Sequence, residues 1–192
     1  MERQQKVVLV TGYSKGGIGY SLCEEFARRG VYEFKVYATS RNLHSVNGLA
    51  GKALGIQILE MDVTSDQSVK NAIDSVIEKE GRIDILVNNA GVICAGPLAD
   101  VPMELALKSF DTNVFGALRT ARCVIPHMTK RKEGMIVNIG SIGAYVPTPW
   151  NGIYCASKAA LHSSTEVLEM ECKPLNILVT LVSPGSIKSS QT

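Results

Sequence analysis

Short apolar runs alternate with stretches of helical spacing along the whole chain. Lys6-Val7-Val8-Leu9-Val10 is β-branched and apolar almost throughout, as a strand buried on both faces is. Ile18, Leu22, Phe26 and Ala27 then recur at helical intervals up to Arg29-Gly30, a helix stop. The same alternation repeats. Strands are expected at residues 34–39, 56–60, 84–87, 135–139 (preceded by Gly134) and 177–182. Helical spacing is expected after Thr64 or Ser65, which offer an N-cap, with Val69, Ile73, Val76 and Ile77 on one face. A long helical pattern runs from about Met103 to Met128, and another from about Gly152 to Cys172, where Pro174 stops it. Residues 1–5 are polar and read as disordered. Strictly alternating strands and helices with short turns predict one α/β domain over residues 1–192. Its architecture is a doubly wound parallel sheet in the order 3-2-1-4-5-6, in three layers with helices on both faces.

The candidate chemistry falls at the strand ends. Thr11-Gly12-Tyr13-Ser14-Lys15-Gly16-Gly17-Ile18-Gly19 comes directly after the first strand and opens a helix. Strand, glycine-rich turn, helix is the context of a dinucleotide loop: glycines admit the pyrophosphate and the helix N-terminus supplies N–H groups. A plain strand-to-helix turn is the competing reading. At the end of the second strand, where an acid would bind an NAD ribose, Ser40-Arg41 stands instead. Arg41 is suited to a 2′-phosphate, with Lys15 as a second cation, or is an ordinary surface charge. Asp62 follows the third strand, and Asn88-Asn89-Ala90-Gly91 closes the fourth with two amides and a close-approach glycine. Asn113 and Gly116 are poor helix-interior residues inside the long pattern. Asn113 reads either as a buried group with a task or as an Asn bonding a neighbouring loop.

Ser141 to Lys158 is the densest stretch. Ser141 closes the fifth strand, a Pro-rich loop follows, and Tyr154 and Lys158 sit four residues apart on a helix. That is about one turn, so phenol and ammonium share a face. An ammonium beside a phenol favours the phenolate by charge, which makes a proton donor and acceptor usable near neutral pH.

Composition narrows the classes. The 192 residues are 45% hydrophobic and 20% charged, enough for a real core. A net charge of +2 leaves no footprint for nucleic acid. The basic run Lys130-Arg131-Lys132 reads as a solvated helix end favoured by the helix dipole. Five cysteines show no CxxC pairing and suit unbridged thiols in a reducing compartment. Cys155, beside Tyr154, is either reactive or a small core-side residue. His44, His127 and His162 lack ligand spacing, so no metal is expected. No apolar run reaches the roughly 18 residues of a membrane span, and no signal peptide stands out. The expectation is a cytoplasmic protein.

Together, Thr11-Gly12, Gly17-Ile18-Gly19, Asn88-Asn89-Ala90-Gly91, Asn113, Ser141, Tyr154-x-x-x-Lys158 and Pro184-Gly185 resemble the single-domain short-chain dehydrogenases/reductases, in that family's order and across essentially the whole chain. Within it, Pro147-Thr148-Pro149-Trp150, Tyr154 to His162 and Leu168 to Leu175 are similar to fungal NADPH-dependent 1-acyldihydroxyacetone-phosphate reductases. Fungal enzymes of secondary metabolism share such segments and reduce other carbonyls. The resemblance implies a Rossmann fold binding NADP(H) and reducing a small-molecule ketone or carbonyl to an alcohol. It makes Tyr154 the general acid, lets Ser141 hydrogen-bond the carbonyl oxygen, and has Lys158 hold the nicotinamide ribose. It gives Asn113 a water that links Lys158 to solvent. Gly12, Gly17, Ile18 and Gly19 are implied at the pyrophosphate, Asp62 and Val63 at the adenine, Asn89 at the adenosine ribose and Ile187 at the carboxamide. A homodimer or homotetramer is implied through helices 103–128 and 152–172, and peripheral association with a lipid droplet or endoplasmic reticulum is compatible with the subgroup.

Two departures bear on function. Four residues separate Gly12 from Gly17, one more than the family's common spacing, and Gly16 is placed to absorb the extra one. The sequence stops at Thr192, where relatives commonly continue with a seventh strand and a substrate lid. The expectation is a C-terminally truncated form whose sixth strand is an exposed edge. The competing functional reading is a truncated, non-catalytic NADP-binding pseudo-enzyme.

Overall fold

A computed structural model describes residues 5–29, 33–46 and 54–187. The expectations for residues 1–4 and for the tail after Ile187 lie outside these. The elements run β1 (Lys6–Val10), α1 (Ile18–Arg29), β2 (Phe34–Ser40), β3 (Gln57–Glu60), α2 (Asp66–Glu80), β4 (Ile85–Asn88), α3 (Met103–Phe110), α4 (Gly116–Arg131), β5 (Gly134–Ile139), α5 (Gly152–Cys172) and β6 (Ile177–Val182). The six strands form one parallel sheet in the order β3-β2-β1-β4-β5-β6. All strands point the same way, so the turns after β1, β2, β4 and β5 gather at one edge of the sheet. That edge carries the site.

The apolar runs are explained by burial on two faces. Val7 and Leu9 of β1 join Leu86, Ile136 and Val179 in a core covered by Val69, Ile73 and Val76 of α2 and Ala121, Val124 and Met128 of α4. Val8 and Val10 point the other way, with Val36, Ala38, Val87 and Ile139, onto Cys23 and Ala27 of α1. A strand buried on both faces has no polar face to alternate with. Among the described residues β6 is an edge, and its Leu178 and Val182 are exposed. No described helix is long and apolar enough to cross a membrane.

Three local readings are corrected. The long helix expected from Met103 to Met128 is two helices joined by a π-helical turn, Asp111–Phe115, and α4 continues to Arg131. The Gly116 N–H reaches back to the Asp111 carbonyl, and a Cβ at Gly116 would stand 2.8 Å from Val63 Cγ2. Close approach of the chain after β3 therefore requires glycine there. Asp84, expected to start the fourth strand, precedes it and is buried. Its carboxylate accepts the Val7 N–H at 2.8 Å, is forked by Arg82, and accepts from Arg131 at 3.2 Å. Arg131 is thus no solvated helix end: it also donates to the Ile83 carbonyl and fastens α4 to the start of β4. The run Lys130-Arg131-Lys132 misled because charge alone does not show where a carboxylate is buried.

The Asp84 cluster is the main polar fastening on the side of the sheet away from the site. Asp84→Ala leaves the Val7 amide and two guanidiniums without their shared acceptor. We expect a loss of about 2–4 kcal/mol, the range for breaking a buried pair whose cations are partly solvated. Urea denaturation with an unchanged slope and a lowered midpoint would register it, and a wild-type midpoint would show that the cluster adds nothing to stability.

Candidate active site

The glycine turn is built by β1 and the end of β4 together. Thr11 Oγ1 accepts the amides of Asn89 and Ala90 at 3.0 and 2.9 Å. Asn89 Nδ2 donates to the carbonyls of Thr11 and Gly12 at 2.8 and 3.1 Å. Gly12 has φ 78°, and a Cβ there would sit 2.8 Å from Ala90 Cα. Only glycine allows both the conformation and the approach. A Cβ at Gly19 would stand 2.5 Å from Asn89 Nδ2, so that glycine is needed for packing behind the turn. Gly16 takes φ 70° within the longer loop. Asn89 is therefore committed to shaping the turn, and Thr11, which the sequence did not single out as a site residue, is its partner.

Arg41 follows β2 and is exposed at the rim. Asp62 is nearby, and its Oδ1 accepts the Thr64 amide and hydroxyl at 2.9 and 2.8 Å. Burial raises the Asp62 carboxyl, but the Thr64 bonds and the positive Arg41 and Arg119 outweigh it and hold the group below the usual carboxylate range.

The π-helical turn swings Asn113 inward, where it is almost fully buried. Such turns, with i→i+5 bonding, recur at functional sites. Asn113 Oδ1 accepts the Val92 N–H at 2.8 Å while its Nδ2 donates to the Val92 carbonyl and to Ser157 Oγ, each at 2.9 Å. It thus pairs with the chain just past Gly91 and ties it to α5. Of the two sequence readings of Asn113, the structure shows the Asn bonding a neighbouring loop, at a buried position.

Tyr154 and Lys158 lie on one face of α5, as their spacing required. Lys158 is buried, and its Nζ donates to the Ile139 carbonyl at 2.8 Å, 5.9 Å from the centre of the Tyr154 ring. Burial lowers the Lys158 ammonium from 10.5 to about 8. A Cβ at Gly91 would be 3.3 Å from Asn113 Oδ1 and 3.7 Å from Lys158 Nζ, so Gly91 separates two side chains that approach the same point. Ser141 Oγ, at the end of β5, accepts the Gly143 N–H at 3.1 Å. A Cβ at Gly143 would lie 3.4 Å from Ser141 Oγ, 3.7 Å from Tyr154 Cε1 and 3.4 Å from Cys155 Sγ. Serine and tyrosine thus converge beside Gly143, with the buried Cys155 behind them. Trp150, in the loop before α5, takes φ 68°, and its carbonyl accepts the Gly96 N–H at 2.6 Å.

These parts line one cleft of about 620 Å³. Gly12, Gly17, Ile18, Arg41 and Asn89 line it toward β1 and β2, and Ser141, Tyr154, Lys158 and Ile187 toward β5 and β6. Gly19, Asp62 and Asn113 stand behind the wall, and Val63 reaches it in place of Asp62. Lys15 is exposed and outside the lining. The sequence reading passed over His162, which is buried and accepts the Ser141 amide at 3.2 Å. Its place two turns after Tyr154 was the available signal.

Comparison with known proteins adds identity to this geometry. The short chain dehydrogenase family model matches residues 6–192. The short-chain dehydrogenase virD of Hypocrea virens is 40% identical over 193 residues, covering 97% of this chain and 63% of that protein. The NADPH-dependent 1-acyldihydroxyacetone phosphate reductase of Schizosaccharomyces pombe is 37% identical over 187 residues, 96% of this chain and 61% of that one. The chain therefore spans somewhat under two thirds of the length of these relatives. A solved structure of ElxO with NADP bound matches with a TM-score of 0.90 at 30% identity, over 97% of this chain and 76% of ElxO. The sheet, the glycine turn, the cleft and these likenesses agree, and the chain belongs to the short-chain dehydrogenase/reductase family.

Proposed function

We propose that this chain is an NADPH-dependent oxidoreductase that reduces a ketone to an alcohol, with Tyr154 as proton donor. The observation that carries the reading is the meeting of Ser141, Tyr154 and Lys158 in the same cleft as the glycine turn. The residues present fit a pyridine dinucleotide. Gly12, Gly17 and Ile18 line the cleft where α1 begins, and no acid stands at the end of β2 to oppose a 2′-phosphate. Gly12, Gly17 and Ile18 would hold the pyrophosphate, with Gly19 and Asn89 shaping the turn. Asn89 also borders the adenosine ribose, Val63 and the neighbouring Asp62 the adenine, Arg41 the 2′-phosphate and Ile187 the carboxamide. Bound NADPH supplies the hydride that a carbonyl carbon receives.

The chain's own side chains handle the oxygen and its proton. Ser141 Oγ already accepts from Gly143, which leaves its hydroxyl proton to donate to the carbonyl oxygen. Tyr154 gives its proton to the same oxygen, and the Lys158 ammonium offsets the charge left on the phenol. With a value of about 8, Lys158 is mostly charged at neutral pH and close enough to its midpoint to pass a proton on. Asn113 fixes Val92 beside it and is assigned the water between Lys158 and solvent. Ile93, Ile142, Val146 and Ile187 are exposed apolar side chains at the mouth, which favours a carbonyl carried on a hydrocarbon. The Schizosaccharomyces relative supports 1-acyldihydroxyacetone phosphate as the first substrate to try. Exposed Leu107, Phe115, Val167 and Met170 on α3 to α5 support pairing of two copies.

The deciding assay is NADPH oxidation by the purified chain with palmitoyl-dihydroxyacetone phosphate and a panel of apolar ketones. Turnover is expected; tight NADPH binding with no turnover on any carbonyl would favour the non-catalytic reading. Tyr154→Phe is expected to lower kcat by about a hundredfold to ten-thousandfold and to leave NADPH affinity within about twofold. An unchanged rate would take the proton-donor role from Tyr154. Arg41→Ala should weaken NADPH by about tenfold to a hundredfold, the worth of one charged hydrogen bond, and barely affect NADH. Equal effects on both would assign Arg41 to the surface.

Because burial lowers Lys158 to about 8, the free chain holds that amine neutral above this pH, whereas ribose hydroxyls and pyrophosphate favour it charged. NADPH affinity should be flat below pH 8 and fall by up to about tenfold per unit above it. Titration calorimetry in buffers of different ionisation enthalpy should detect proton uptake there, and binding without uptake would contradict the assignment.

A further inference from the structure

Tyr154, Lys158 and His162 form a stripe at i, i+4 and i+8 on α5, and eight residues place His162 about 12 Å deeper than Tyr154 along the axis. His162 is 5% exposed. Its Nε2 accepts the Ser141 N–H at 3.2 Å and stands 3.5 Å from Ser183 Oγ beyond β6. The Tyr145 ring packs on it with centroids 4.8 Å apart. A Cβ at Gly140 would overlap Nε2, so the imidazole is fitted against the backbone that leads into Ser141. Among the described residues, Nδ1 is buried with no hydrogen-bond partner. A backbone N–H can only donate, so Nε2 must be the acceptor and Nδ1 must carry the proton. The orphaned Nδ1–H is the cost of that arrangement.

We propose that His162 is a positioning residue: its neutral imidazole, protonated on Nδ1, holds the backbone of Ser141 in place for carbonyl binding, and protonation of Nε2 releases it. The imidazolium would turn two N–H groups toward the Ser141 N–H and a closed wall, and one bond would be lost. The surroundings favour the neutral form. Burial pushes the imidazole below its ordinary 6.5, and the Lys158 charge adds to this, while Glu166 opposes it. Both charged neighbours are on α5. The loop after β5 presents Tyr145 and the Gly140–Ser141 backbone, the end of β6 presents Ser183, and β6 itself adds the apolar Leu181. The sign is therefore fixed: the contact is intact above pH 6.5 and is lost as pH falls through the lowered value.

The kinetic consequence rests on the reductase reading, whereas the structural claim does not. The first test is nitrogen NMR of the labelled full chain. Long-range imidazole correlations at pH 7.5 should show the Nδ1–H tautomer, and the Ser141 amide should shift with the His162 midpoint, below 6.5, on acidification. An Nε2–H tautomer, or a Ser141 amide indifferent to His162 titration, overturns the proposal. The second test compares His162→Gln, which keeps an acceptor near the Nε2 position, with His162→Leu, which does not. With palmitoyl-dihydroxyacetone phosphate, wild-type kcat/KM should fall about tenfold per pH unit below the His162 midpoint at constant NADPH affinity. His162→Gln should lose that acid limb and restore most of the neutral-pH rate that His162→Leu loses, with NADPH affinity held in both. An acid limb that survives in His162→Gln refutes the proposal. A wild-type chain that turns over no carbonyl refutes the reductase reading instead, and the NMR result then decides the role of His162.

Discussion

Two hydrogen bonds between the Asn113 side chain and the Val92 backbone hold the wall of the cleft beside Lys158 in place. They cap the chain as it leaves β4, immediately after the Asn-Asn-Ala-Gly turn. The same Asn113 amide reaches Ser157, next to Lys158 on α5. A primary amide is the right group for this position, because it meets a backbone N–H and C=O in one plane and still has an N–H left for a hydroxyl. Loss of the pair would leave a buried amide and carbonyl unsatisfied, at about 1–3 kcal/mol for each, and would free the loop that separates Asn113 from Lys158. The π-helical turn exists where this side chain must point inward, and the irregularity of the helix is explained by the site.

A second tie works at the neighbouring strand. Thr11 and Asn89 exchange bonds through side chain and backbone, so the ends of β1 and β4 form one unit. With Asn113 reaching to α5 and Lys158 reaching to the end of β5, the polar contacts run from the glycine turn to the tyrosine. Parallel pairing makes this possible, since it sends successive strand ends to one edge. The far edge is fastened by Asp84, Arg82 and Arg131 and has no part in the cleft. Fold and function are thus divided between the two ends of the same sheet.

Much of this was legible in the residue pattern. The apolar run 7–10 of β1 announced burial on both faces, and Tyr154 and Lys158 announced a shared helix face, because both are periodicities of local geometry. Gly12 and Gly116 were visible as exceptions, although the reason for Gly116 lay in Val63, more than fifty positions earlier. What stayed hidden depends on contacts distant in sequence. Arg131 looked like a free helix end until Asp84 was found beside it. His162 looked like a scattered histidine until β5 brought Ser141 to it. The turn at Asp111–Phe115 had no signal of its own beyond an asparagine in an unfavourable place. Asp62 stood at the expected strand end, but its bonds with Thr64 were not visible in the pattern, nor was the fact that its neighbour Val63 lines the cleft.

We propose that the chain passes hydride from bound NADPH to a carbonyl carbon within the cleft that Tyr154 lines. Deuterium transfer tests it without reliance on a rate law. NADPH deuterated at the transferable position is incubated with the chain and an apolar ketone, and the alcohol is analysed by mass spectrometry. One deuterium at the carbinol carbon is expected, with the labelled alcohol appearing at least about a hundredfold more slowly when Tyr154→Phe replaces the wild type. Alcohol formed without deuterium, or bound NADPH that keeps its label with every ketone supplied, would contradict it.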